Sequence, residues 1–169
     1  MPRSFDMSTD YAESVETVLR AFGDEQYWLA RLADSGADDA TLDCMDVDIN
    51  GTVDVITTQV LRADRMPAVV TQFHRGDLRI RREERWEPTV DGSATATVSG
   101  SIVGAPASLS GTAVLEPLGD GGARLQFRAT VEVRIPLVGG KLENFIGSQL
   151  VELLIREQRF TTLWIGETA

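Results

Sequence analysis

A chain of 169 residues with 43% apolar side chains is long enough to bury a substantial core. Its formal charge of -10 works against binding to nucleic-acid phosphates or an anionic membrane face, which require clustered Lys and Arg; no run of about 18 apolar residues is present to span a bilayer, and Met1-Pro2-Arg3-Ser4-Phe5 lacks the apolar stretch of a signal peptide. The single cysteine, Cys44, makes neither an intrachain disulfide nor a cysteine metal site, so a cytoplasmic protein with a free, buried thiol and with no metal or cofactor is expected.

The opening "RSFDMSTDY" alternates, Phe5 and Met7 against Ser4, Asp6 and Ser8, which predicts a half-buried strand. From about Glu13 the period turns helical through Val15, Val18, Leu19 and Phe22, and a second short amphipathic piece carries Tyr27, Trp28 and Leu32 up to Ser35-Gly36. Then come the strand-like stretches "TLDCMDVDI", "TVDVITTQVL", "AVVTQFH", "LRIRREERWE", "ATATVSGSIVG", "ASLSGTAVLE" and "ARLQFRATVEVRI". Turn clusters such as Asn50-Gly51, Asp91-Gly92 and Asp120-Gly121 separate them, so neighbours are expected to pair antiparallel. A mostly apolar helix from near Gly140 to near Trp164 closes the chain and, at roughly 37 Å, matches the last strand in length. The expected class is α+β: a curved antiparallel sheet of about seven or eight strands around a long C-terminal helix, with two short helices after the first strand.

Does that helix cover a filled core or a hollow one? The inward positions Ala94, Ala96, Gly100, Gly104, Ala107, Gly111 and Ala113 are small, which predicts a few hundred Å³ of unfilled space. Trp28, Trp86, Phe127 and Phe145 filling that space is the alternative. On the helix, Leu142, Phe145, Ile146, Leu150, Leu153, Phe160, Leu163 and Trp164 form the expected inner arc, with Gln149, Arg156 and Glu157 in it or at its edge; Val151, Leu154 and Ile155 fall opposite. In "LRIRREERWE" the parity that points Leu78, Ile80 and Trp86 inward also carries Arg82 and Glu84 inward, unless this strand is an edge charged on both faces.

Motifs for catalysis are sparse. The sole histidine, His74, sits beside a turn, no Gly-x-Ser-x-Gly elbow exists, "GDGG" at 119–122 joins two strands without a helix N-terminus, and "DVDING" at 46–51 lacks a calcium loop's closing Glu, with Thr57 in its place.

The order of elements resembles the helix-grip fold of the START-like superfamily, also called birch-pollen-allergen-like (Bet v 1-like), SRPBCC or polyketide-cyclase-like, over essentially all of residues 1–169, read as a single START-like domain. More narrowly, "PLVGGKLENFI" at 136–146 and "EQRFTTLWI" at 157–165 resemble an actinobacterial START-like family of unknown function. The resemblance implies a small hydrophobic or amphipathic ligand, a lipid or polyketide, held between sheet and helix. Trp28, Arg82, Glu84, Trp86, Phe127, Gln149, Leu150, Leu153 and Glu157 are the expected ligand-binding residues. A cyclase-like enzyme using Glu84, Glu157, Tyr27 or His74, and a partner-binding module with a filled core that forms a homodimer, are the alternatives.

Overall fold

Two side-chain caps begin the first helices. Ser14 accepts a hydrogen bond from the Thr17 amide at 3.2 Å and Asp24 one from the Gln26 amide at 2.9 Å, satisfying donors that have no partner inside their helices. In the computed structural model, which describes residues 2–72 and 74–168, the order is β1 (Arg3–Tyr11), α1 (Val15–Phe22), α2 (Glu25–Asp34), β2 (Asp39–Val47), β3 (Val53–Leu61), α3 (Ala68–Thr71), β4 (Leu78–Pro88), β5 (Ala94–Ile102), β6 (Ala107–Pro117), β7 (Ala123–Val133) and α4 (Gly139–Thr168). All strand pairs are antiparallel in one seven-stranded sheet ordered β1-β7-β6-β5-β4-β3-β2. Gly51, Gly92 and Gly121 take φ of 87°, 86° and 91° at three of the hairpin turns, a conformation nearly free only for glycine.

The structure corrects several local expectations. The stretch 68–74 is not a strand: Pro67 opens a helical turn, with the Val70 amide donating to its carbonyl at 2.9 Å, and Phe73 lies outside the described residues. Strand β4 is no edge, because β3 and β5 flank it, so its inward charges follow from the pleat alone. Cys44 is exposed rather than buried. A bulge in β2 between Leu42 and Cys44 shifts the register, setting Cys44 opposite Ile56 instead of continuing the face of Leu42, which lies opposite the buried Thr57.

Helix α4 runs closest to β1 and β7 on the sheet and to α1 and α2. Its innermost line is not the apolar arc. Glu143, Gly147, Leu150, Leu154, Glu157 and Thr161 recur in alternating steps of four and three, with Glu143, Gly147 and Thr161 buried, Leu154 packed on the core and Leu163 left 64% exposed. Polar attachments set this rotation. The Glu143 Oε2 accepts from the Val133 amide at 2.8 Å, and the Thr161 and Tyr27 hydroxyls lie 2.6 Å apart. Gly147 permits the close approach to β1, since a Cβ there would meet the Phe5 ring at 2.2 Å. Gly147→Ala should therefore lower stability by about 1 to 3 kcal/mol in urea unfolding instead of giving the helix-interior gain of about 1 kcal/mol. In a Phe5→Ala background the penalty should vanish; a penalty unchanged in that background would sink the steric account.

An aromatic cluster fills one end of the sheet's inner face. Phe22 lies 4.8 Å from Trp86 and 6.0 Å from Trp28 between ring centroids, and Tyr27 meets Trp28 and Trp164 edge-on at 5.4 Å each. Toward the other end the covering thins. Ile80, Gly100, Ile102, Leu109 and Gly111 share the inner face with the buried Leu78, Val98 and Ala113, yet each is only half-buried.

Candidate functional site

At the boundary between these two ends the inner face carries charge. Arg82 and Glu84 on β4 point inward beside two small or modest neighbours on β5, Gly100 opposite Arg82 and Val98 opposite Glu84. Arg31 on α2 and Glu157 on α4 complete a group of two guanidiniums and two carboxylates. Arg82 grips Glu157 with two parallel bonds of 2.9 and 3.1 Å and reaches Glu84 through Nε at 3.1 Å. Arg31 meets Glu157 at 2.5 Å and Glu84 at 3.8 Å, and its guanidinium lies over the Trp28 ring at 4.7 Å. Buried charges are tolerated only with such pairing. Neutral groups absorb part of the remaining valence: the Trp86 indole donates to Glu84 at 3.4 Å and Arg31 donates to the Tyr27 hydroxyl at 3.4 Å.

The electrostatics hold Glu157 and the two arginines ionised. Burial works against charge on Glu157, but the Arg31 and Arg82 guanidiniums outweigh it and keep the carboxyl down at about 2. Burial likewise opposes charge on Arg31, and Glu157, Tyr27 and Glu84 override it and push its pKa well above the ordinary arginine range. Burial pushes the Tyr27 phenol up, so it is a neutral hydrogen-bonding group. Two guanidiniums face two carboxylates, and each carboxylate is engaged by both arginines, so neither stands free. The cluster can exchange hydrogen bonds with a polar guest, through Arg donors and Glu acceptors, more readily than it can move a proton.

Trp28, Arg82, Glu84, Leu153 and Glu157 do come together, with Arg31, around a void of about 20 Å³, room for about one water molecule. This void is far smaller than the few hundred Å³ expected from the small inward side chains. Phe127 accounts for part of the difference, since its ring leans over Gly111, where a Cβ would lie 2.9 Å from it. Trp86 is 4% exposed in the aromatic cluster, Leu150 is half-buried on the inner line of α4, and neither lines the void. Gln149 is exposed and stands outside the group, because α4 is turned toward Glu143 and Thr161. His74 belongs to a turn, its ring nitrogen 3.2 Å from the Asp77 carbonyl. Arg156 is exposed and reaches Asp34.

Sequence reasoning missed Arg31, Thr161 and Glu143. A signal for Arg31 existed: it lies four residues after Tyr27 and three after Trp28, on the helix face both aromatics bury. Among the described residues no group of three or more His, Cys, Asp or Glu is placed to hold a metal ion, and no helix is long and apolar enough to cross a membrane.

Comparison with known proteins supplies relatives. The profile of a family described as "Protein of unknown function (DUF2505)" matches residues 6–165. An uncharacterised protein of Mycobacterium tuberculosis is 55% identical over 170 residues, covering 98% of each chain. Among solved structures, a Thermus thermophilus protein matches with a TM-score of 0.63 at 16% identity over 99% of both chains. A START superfamily protein from Mycobacterium smegmatis matches with a TM-score of 0.54 at 13% identity, over 98% of this chain and 99% of that one. At these identities the structural likeness establishes the fold, a START-like helix-grip arrangement, and nothing finer.

Proposed function

The chain belongs to the family described as Protein of unknown function (DUF2505), and from that premise and the site's geometry we propose that it binds one small, uncharged amphipathic molecule between the inner face of the sheet and α4. The apolar part lies along Ile80, Ile102, Leu109, Leu150 and Leu153, and the polar end meets the Arg82 and Glu157 pair. One observation carries this reading: the inner face is apolar but only half covered at one end, and a charge-balanced cluster stands where the cover begins, with the Arg82 and Glu157 side chains still 21% and 18% exposed. A balanced cluster offers a hydroxyl or carbonyl both donors and acceptors, while a net charge on the guest would find no unmatched partner. A molecule larger than water requires the middle of α4 to move outward, or lies in the half-covered region without moving it. Turnover is the weaker reading, because Glu157 is occupied by two guanidiniums. A cytoplasmic setting belongs to the same proposal and is supported by the free, exposed thiol of Cys44.

Native mass spectrometry of gently purified protein, followed by organic extraction, tests the reading. A neutral lipid or polyketide-like molecule bound near stoichiometry is the expected result. Gly100→Leu should abolish that adduct without destabilising the fold, since a Cβ at Gly100 meets only ordinary contacts at 3.7 and 3.8 Å and a larger side chain extends over Arg82 into the half-covered region. A clean apo mass, with no thermal stabilisation by panels of fatty alcohols, sterols and aromatic polyketides, would overturn the proposal.

A further inference from the structure

The outward side of α4 offers a second kind of surface. An open groove of about 540 Å³ runs there, lined by Asp34, Glu152, Ile155, Arg159, Phe160 and Leu163 together with Arg156. Val151 and Ile155 are 43% and 42% exposed and Leu163 is 64% exposed, an apolar stripe on a helix whose opposite side carries the core contacts. Arg156 is tied to Asp34. Glu152 and Arg159 are exposed, and among the described residues neither side chain has a hydrogen-bond or ion-pair partner; two helical turns separate them.

We propose that this face is the contact between two copies of the chain, with the two α4 helices packed antiparallel about a two-fold axis passing between Ile155 and Arg156. The argument is self-complementarity. Such an axis sets Glu152 level with Arg159 of the second copy, and Arg159 level with its Glu152, so each unpartnered charge meets its opposite twice in one contact. The same axis brings the two Ile155 side chains together, covering the centre of the stripe in both copies. Glu152 and Arg159 lie on the side of α4 turned away from Glu157, while Asp34, Arg156 and Phe160 border both the groove and the void at the charge cluster.

Sedimentation velocity on the full chain over a concentration series tests this. Wild type should show a monomer–dimer equilibrium that added salt weakens, because the pairs are exposed. Glu152→Arg alone and Arg159→Glu alone should each raise the dissociation constant at least ~10-fold by setting like charges opposite one another. The double exchange Glu152→Arg with Arg159→Glu should restore the wild-type value, since it reverses both partners. Both positions are exposed, and far-UV circular dichroism verifies that the variants are folded. The proposal falls if wild type is monomeric at every concentration, if the single exchanges leave dimerisation unchanged, or if the folded double exchange fails to recover it. Wild type that sediments as a monomer yet floats with phosphatidylcholine and phosphatidylglycerol vesicles would assign the stripe to a lipid surface and also overturn it.

Discussion

Glu157→Ala should lower the unfolding free energy by about 3 to 5 kcal/mol, the cost typical of removing one member from a buried ion pair. The substitution deletes the carboxylate that both guanidiniums share, leaving Arg31, 10% exposed, with Glu84 at 3.8 Å and Arg82 with a single ion-pair contact to Glu84 at 3.1 Å. Acid titration separates this loss from mere loss of volume. The folded carboxyl ionises at about 2 against an ordinary value of 4.5. Its stabilisation is thus fully present above pH ~4.5 and is lost as pH falls toward and through 2, and a shift of that size corresponds to about 3 kcal/mol. Urea midpoints followed from neutral pH down to about pH 3 should fall less steeply in Glu157→Gln than in wild type. Equal acid slopes in the two proteins would mean that Glu157 is not held ionised by Arg31 and Arg82. Because the four side chains form one network, removing Arg31 and Glu157 together should cost less than the sum of the single losses.

Three of the four charged members of this cluster, Arg82, Glu84 and Glu157, were legible in the sequence and Arg31 was not, for a physical reason. Strand β4 alternates under the constraint of two neighbouring strands, so residues two apart must share a face, and Arg82 and Glu84 were placed by the parity of Leu78, Ile80 and Trp86. A helix has no such constraint. Hydrophobicity pointed the arc of α4 toward Leu142, Leu153 and Leu163, but polar attachments at Glu143, Glu157 and Thr161 outweigh it, and these partners are supplied by β7 and α2 rather than by neighbours in sequence. Arg31 was missed because an arginine is charged outward by default until a buried carboxylate is known to await it. Volume is harder to read from a sequence than facing. The small residues on β5 and β6 were read correctly as inward, except Gly104, which is exposed in the turn between these strands at a φ of 79°; the volume above them depends on where Phe127 and the aromatic cluster point, and rotamers are not written in periodicity. At Cys44 a single bulge reversed the expected face, which alternation alone cannot anticipate.

Adjacent glycines at the entry to α4 should respond to alanine with opposite signs. A Cβ on Gly139 would lie 2.4 Å from the Val133 carbonyl oxygen and 3.5 Å from its carbon, backbone atoms that cannot swing aside. The surroundings are closed as well: the Gly139 amide donates to the Ile135 carbonyl at 2.9 Å, and the Val133 amide donates to Glu143 at 2.8 Å. Displacing the first turn of α4 to admit a methyl group pulls Glu143 from that amide. Glu143 is fully buried, its other carboxylate oxygen has no hydrogen-bond partner, and its ion-pair contact is Arg3 at 3.9 Å. Overpacking and a lost buried hydrogen bond together put the cost of Gly139→Ala at about 3 kcal/mol. Gly140 faces only the Arg3 guanidinium, with Nη2 at 3.2 Å and Nε at 3.7 Å from the added Cβ, and that side chain is 50% exposed and free to shift. Gly140→Ala should accordingly gain up to about 1 kcal/mol from helix propensity. Thermal and urea unfolding of the two variants distinguishes packing from flexibility as the reason for the pair. If the glycines served as a hinge, each alanine would restrict the chain in a similar way and the two shifts would share a sign; opposite signs mean that Gly139 is required by the Val133 carbonyl and Gly140 is not required at all.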